Sequence, residues 1–130
     1  MSKDLYTEVF IKAKKKELID EEFISFLDRI FPGRSKNVID VLKRGIIKYI
    51  YTPSNRTVWA AKGENQEHLI YPKLYCSCQD FYKNVVIKKK RQFCKHILAQ
   101  IISEALNKFE QISLEDDDFK NFLSNLKLKV

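Results

Sequence analysis

Four side chains limit what this chain can fold into. Cys76 and Cys78 form one close pair, Cys94 and His96 a second, with fifteen residues between the pairs. They account for all three cysteines of the protein and one of its two histidines. Three thiols and one imidazole make the donor set of a closed, tetrahedral structural Zn²⁺ site, which takes soft or borderline ligands four at a time. With all four positions filled by protein, no vacancy is left for a water molecule, so a structural ion is expected rather than a catalytic one. Three inert buried cysteines beside a surface histidine would leave this spacing without a reason. A Cys–His nucleophilic pair would need an orienting Asn or Asp, and none is apparent. His68, alone in a predicted strand, reads as a surface or packing residue.

Spacing also sets local geometry. Residues i and i+2 of an extended chain face the same side, so Cys76 and Cys78 converge if they close a strand. Within a helix the same spacing points side chains nearly opposite ways. Cys94 is therefore expected to precede a helix, with His96 in its first turn. The positive end of that helix favours thiolates and the metal they hold.

Hydrophobic periodicity supplies the frame. Leu5, Val9, Phe10 and Ala13 recur at helical spacing, ahead of Lys14-Lys15-Lys16, where cations suit the helix dipole. Asp20 reads as the N-cap of a second helix carrying Phe23, Phe26, Leu27 and Ile30, stopped by Phe31-Pro32-Gly33. Ser35 is expected to cap a third helix, over 35–44, with Gly45 beyond its end. From Ile46 the period changes to that of strands, 46–51 and 57–61, joined by a hairpin loop over 52–56. A turn over 63–66 leads to a third strand from His68, which Pro72 places at an edge or interrupts, and which delivers the chain to Cys76. Ile97, Leu98, Ile101, Ile102, Ala105 and Leu106 mark a long helix, and Ser113 is expected to cap a last one with Leu114, Phe119, Phe122, Leu123 and Leu126. The expected fold class is α+β: a small antiparallel β-sheet of about three strands, a zinc site leading into a long helix, and helices at both ends.

At 130 residues, 45% hydrophobic and with three Gly and three Pro, the chain fits one folded domain with short connections. Residues 1–34 form N-terminal helices, 35–107 the zinc-binding core and 108–130 a C-terminal helix. The odd number of cysteines and the strain of a Cys-x-Cys disulfide favour reduced, metal-bound thiols in the cytoplasm. No signal peptide is read at the start and no apolar run approaches the roughly 20 residues that span a bilayer, so no membrane partner is expected.

The formal net charge of +7 favours polyanionic partners, nucleic acid first. Lys88-Lys89-Lys90-Arg91 lies in the spacer between the ligand pairs, flanked by Lys83 and Lys95. A metal would anchor both ends of that spacer and present these cations for sequence-independent, salt-sensitive phosphate binding. The plainer reading is a solvated run. Phe81, Tyr82 and Phe93 read first as core residues, and as base-stacking platforms where exposed. Trp59 reads as the centre of the sheet's core. Glu115-Asp116-Asp117-Asp118 is expected to supply negative charge to the first turn of the last helix. No carboxylate pair, glycine-rich phosphate loop or Ser/His arrangement points to an enzyme.

Cys76-Ser77-Cys78-Gln79-Asp80-Phe81 with Cys94-Lys95-His96-Ile97-Leu98-Ala99 resembles the SWIM-type zinc finger, whose signature is CxC, a variable spacer, then CxH. The likeness spans about residues 35–107. The helix, the hairpin with Trp59 and the strand into Cys76 resemble the segment before the finger in small archaeal SWIM-domain proteins. The resemblance implies Zn²⁺ on Cys76, Cys78, Cys94 and His96. SWIM fingers occur in transposases, in SNF-type ATPases and in small proteins that partner RecA-like recombinase paralogues in homologous recombination. They serve as DNA-binding or protein-interaction modules. This chain carries no ATPase or transposase apparatus. By analogy, the resemblance implies a non-enzymatic adaptor with DNA affinity, working with a RecA-like ATPase in DNA repair and recombination. The alternative is a stand-alone DNA-binding or regulatory protein that uses the basic spacer.

Overall fold

Each N-terminal helix buries one stripe: Val9 and Ala13 from α1 (Leu5–Lys16), Phe23 and Leu27 from α2 (Glu21–Ile30), Val38 and Val41 from α3 (Ser35–Arg44). These residues stand three or four apart, as a helix that packs on one side requires. The computed structural model describes residues 5–64, 66–72, 75–89 and 94–117. The remaining elements are strands β1 (Ile46–Thr52), β2 (Arg56–Lys62), β3 (Glu67–Tyr71) and β4 (Tyr75–Cys76), a π-helical segment Phe81–Ile87, helix α4 (Lys95–Leu106) and strand β5 (Glu110–Glu115). Among the described residues no helix is long and apolar enough to cross a membrane.

Local signals place several boundaries. The Phe23 N–H donates to Asp20 Oδ1 at 2.9 Å, the expected N-cap bond of α2. Gly45, at φ 115°, closes α3 in a conformation open to glycine, as expected. Ser35, however, is the first residue of α3 and not its cap. The Arg34 side chain makes no capping bond, and Asp28 from α2 accepts the Ser35 N–H at 3.4 Å.

The Asp20 carboxyl is held below its ordinary range, first by the Phe23 N–H and then by Lys16, 3.1 Å away. A depressed folded-state value means this stabilisation is present above the ordinary carboxylate range and is lost as pH falls through the depressed value. Acid unfolding followed by helical circular dichroism is expected to begin later for Asp20→Asn, which caps without titrating, than for Asp20→Ala. Identical acid limbs in the two variants would contradict the capping role.

The sheet runs in the order β4-β3-β2-β1-β5. β1 and β2 are antiparallel with Lys48 opposite Trp59, and β3 and β4 continue the meander. β5 lies parallel to β1, with Ile47 beside Glu110. Parallel neighbours need a crossover, and α4 supplies it by running back across the sheet. Asn107, at φ 57°, ends α4, and the Lys108 N–H returns to the Ser103 carbonyl at 2.9 Å.

Alternation along the strands separates two apolar clusters. Ile46, Trp59, Ala61 and Ile70 join the four α-helices in the main one, which takes in Cys76, Cys78, Phe81 and Cys94. Ile47, Tyr49, Tyr51, Val58, Ala60 and Leu69 form the second, with Ile112 and Leu114 packed against it. Trp59 is a core residue, as expected. Its ring meets Phe109 edge-on at 4.9 Å, and Lys48 Nζ lies 5.5 Å from its centroid.

Two expectations are corrected and a third is narrowed. The sheet has five strands among the described residues, and one of them is parallel. Ser113 caps no helix but sits with Leu114 in β5, where Ile112 and Leu114 turn to the second cluster while Gln111, Ser113 and Glu115 face out. Glu115 ends that strand, Asp116 and Asp117 are helical as the acidic run predicts, and Asp116 Oδ1 accepts the Ser54 hydroxyl proton at 2.7 Å across the β1–β2 loop. Of the two readings of Pro72, interruption of the strand holds and an edge position does not. β3 stops at Tyr71, between β2 and β4, and β4 is the outer strand. Asp118, Phe119, Phe122, Leu123 and Leu126 lie outside the described residues.

Candidate metal centre

β4 carries the first ligand pair. Cys76 lies opposite Ile70 on β3, and pairing continues one residue further, with the Ser77 N–H on the Leu69 carbonyl at 3.0 Å and the Leu69 N–H on Ser77 Oγ at 2.9 Å. Ser77 thus anchors the outward side of the turn, which leaves Cys76 and Cys78 facing inward together. The Phe81 N–H then donates to Cys78 Sγ at 3.3 Å and orients the thiol. Cys94 has the extended backbone of an N-cap (φ −109°, ψ 171°), and His96 stands in the first turn of α4. One pair closes a strand and the other opens a helix, as the spacing predicts.

All four side chains are buried, and their ligand atoms lie within 4.8 Å of one another. Sulfurs about 2.3 Å from a tetrahedral ion stand roughly 3.8 Å apart, so the cluster has the dimensions of a four-ligand site. Cys94 Sγ and His96 Nδ1 are 4.0 Å apart. All three cysteines are free of disulfides.

The electrostatics fit the same donor set. Hydrogen bonds from Cys76 and Cys94, helped by His96 and the Phe81 N–H, hold the Cys78 thiol below its ordinary range. Bonding to Cys78 and Cys94 together with burial pushes Cys76 up. Cys94 is pulled down by Cys76 but driven harder the other way by Cys78 and burial, to about 12. One thiolate is thus favoured and a second and third are not, until a divalent cation compensates their charge.

The chain is 27% identical over 124 residues to human zinc finger SWIM domain-containing protein 7, covering 92% of this chain and 87% of that protein. The identity is 24% over 122 residues to the homolog from Dictyostelium discoideum, covering 92% and 78%, and 27% over 124 residues to the mouse protein, covering 92% and 80%. Its relatives are SWIM-domain proteins. No family model matches the chain, and no solved structure matches it significantly. The buried Cys₃His cluster is compatible with a SWIM zinc site, and the alignments span the terminal regions as well as the finger.

The spacer residues fall into three groups. Lys83, Lys88 and Lys89 are exposed on the π-helical segment and its end. Lys95, half-buried, opens α4 and lines a cavity of about 560 Å³ with His68, His96 and Arg44. Lys90 and Arg91 lie outside the described residues, as does Phe93. Of the aromatics, Phe81 is buried and Tyr82 exposed.

His68 is a packing residue with a neighbour that the sequence did not reveal. Its ring lies 4.5 Å from that of His96. Burial, then the neighbouring His96, lowers its proton affinity. Gly63 makes room for it, since a Cβ there would stand 3.3 Å from His68 Nε2 and 2.6 Å from the Gln66 carbonyl oxygen. Only the tertiary pairing of β3 with the start of α4 could have identified that contact.

Proposed function

We infer that the chain is a zinc-binding SWIM-type module that acts without catalysis, as a protein-interaction adaptor with DNA affinity. The observation that carries the reading is the convergence of four buried ligand atoms within 4.8 Å. Cys76, Cys78, Cys94 and His96 would hold the ion, which supplies cross-linking charge and no reactive position. The similarity to SWIM domain-containing protein 7 supports the module. Lys83, Lys88 and Lys89, exposed between the ligand pairs, support the affinity for a polyanion. By the SWIM resemblance, the partner is a RecA-like recombinase paralogue and the setting DNA repair and recombination. The second reading, a stand-alone DNA-binding or regulatory protein, rests on the same lysines.

Metal analysis of purified protein tests the module, and a chain without near-stoichiometric zinc would sink it. Alanine at Lys83, Lys88, Lys89, Lys90 and Arg91 is expected to reduce both the DNA affinity and the slope of its salt dependence, by about 0.9 for each duplex phosphate that is no longer neutralised. Recovery of an ATPase by the alanine variant as well as by the native chain favours the adaptor. Strong salt-dependent DNA binding with no protein partner favours the stand-alone reading.

A further inference from the structure

Five of the seven large hydrophobic side chains exposed among the described residues gather on one stretch of the molecule. Tyr71 and Tyr75 belong to the β3–β4 hairpin and are 37% and 43% exposed; Tyr82, Val86 and Ile87 belong to the π-helical segment and are 61%, 47% and 58% exposed. The cause is local. Phe81 and Val85 turn into the main core, so the other side of the same short helix must face water. Hairpin and helix meet through aromatic rings, with Tyr71 6.5 Å from Tyr75 and Tyr75 edge-on to Phe81 at 5.6 Å. Exposed apolar patches on soluble proteins tend to be functional once they reach about several hundred Å². Lys83, Lys88 and Lys89 are exposed on the same segment and at its end, and none of the ion pairs among the described residues uses them.

We propose that this face docks an acidic segment of a protein partner with one apolar side, and that Val86 and Ile87 are its anchors. The inference rests on the adaptor reading and gives that reading a surface. The lysines select acidic side chains and steer encounter, while the apolar residues contribute the affinity. Single-stranded nucleic acid is the rival occupant, because tyrosines stack on bases and lysines meet phosphates. Val86 and Ile87 do neither. Branched aliphatic side chains leave water only against another apolar surface, which a protein segment supplies.

The test uses the zinc-loaded full chain with three fluorescent probes. One is a short amphipathic peptide with Glu on one face and Leu and Phe on the other; the second is the same composition scrambled; the third is an oligo-dT strand. Native protein is expected to bind the patterned peptide better than the scrambled one, and Val86→Ser/Ile87→Ser to weaken that binding about tenfold while leaving oligo-dT binding unchanged. Zinc content and circular dichroism, both expected to be unaltered at these exposed positions, separate impaired docking from impaired folding. Failure of the native protein to prefer the patterned peptide overturns the inference. So does a serine variant that keeps peptide binding, or one that loses oligo-dT binding instead. A native-cell partner recovered equally by both forms removes this face from the interface and leaves the adaptor reading standing. Recovery of no partner by either form removes the adaptor reading itself.

Discussion

Cys94→Ala is expected to abolish near-stoichiometric zinc and to loosen the molecule from β4 to the first turn of α4. Cys94 does two jobs at once: its thiol is one of four converging ligands, and its carbonyl accepts the Leu98 N–H at 3.2 Å to start α4. Structural zinc contributes about 10–16 kcal/mol of apparent binding energy in small finger peptides. Here the ligands belong to the main hydrophobic cluster, so much of the chain has a core that does not depend on the ion. Unfolding is therefore expected to be local, with most of the circular dichroism retained and the melting temperature down by roughly 10 °C or more. His96→Cys keeps four donors and is expected to keep zinc, whereas His96→Ala is not. Because protons compete for the ligands, the metal's contribution is present at neutral pH and is lost as pH falls. A chromophoric chelator reads the release directly. Full zinc content in Cys94→Ala, or a melting curve indifferent to chelation, would contradict the site.

The metal centre was legible because its information is local. Two i, i+2 pairs can converge only if one closes a strand and the other opens a helix, and Cys76–Cys78 and Cys94–His96 do so. Asp20 and Gly45 were legible for the same reason, since caps are written within one turn. Ser113 misled because a hydroxyl shortly before an acidic run resembles an N-cap, whereas helical residues begin only at Asp116, and the competing signal, Ile112 and Leu114 at strand spacing, is just two residues long. What decides there is distant: β1 offers an edge, and α4 brings the chain back to it. The segment Phe81–Ile87 is wound with i→i+5 bonding, as in Lys88 N–H to Lys83 carbonyl at 2.9 Å, and no sequence pattern distinguishes that winding from an α-helical turn. β4, two residues long, is too short for any periodicity. The His68–His96 contact joins residues 28 positions apart, beyond the reach of any local pattern.

Leu98→Ala is expected to cost about 2–5 kcal/mol, the range for truncating a fully buried leucine in a packed core. Leu98 has no exposed surface and belongs to the main cluster, on the helix that packs against α1, α3 and the sheet. A chain of this size holds about 5–15 kcal/mol in total, so the melting temperature should fall by roughly 10–20 °C. Tyr82→Ala, at a side chain 61% exposed, should stay within about 0.5 kcal/mol. The leucine also lies one turn beyond Cys94, and its N–H holds the Cys94 carbonyl. Loosening it therefore lowers the fraction of molecules with Cys94 and His96 in place, and zinc affinity falls although every ligand remains. Mass action then separates the two substitutions. A metal that binds only the folded form restores stability in proportion to RT ln(1 + [Zn]/Kd), so added zinc should raise the melting temperature of Leu98→Ala. Cys94→Ala, one ligand short, should gain little. A cost below about 1 kcal/mol for Leu98→Ala would mean that α4 does not seat the second ligand pair by packing. Equal zinc rescue of both variants would mean that the ion does not need Cys94.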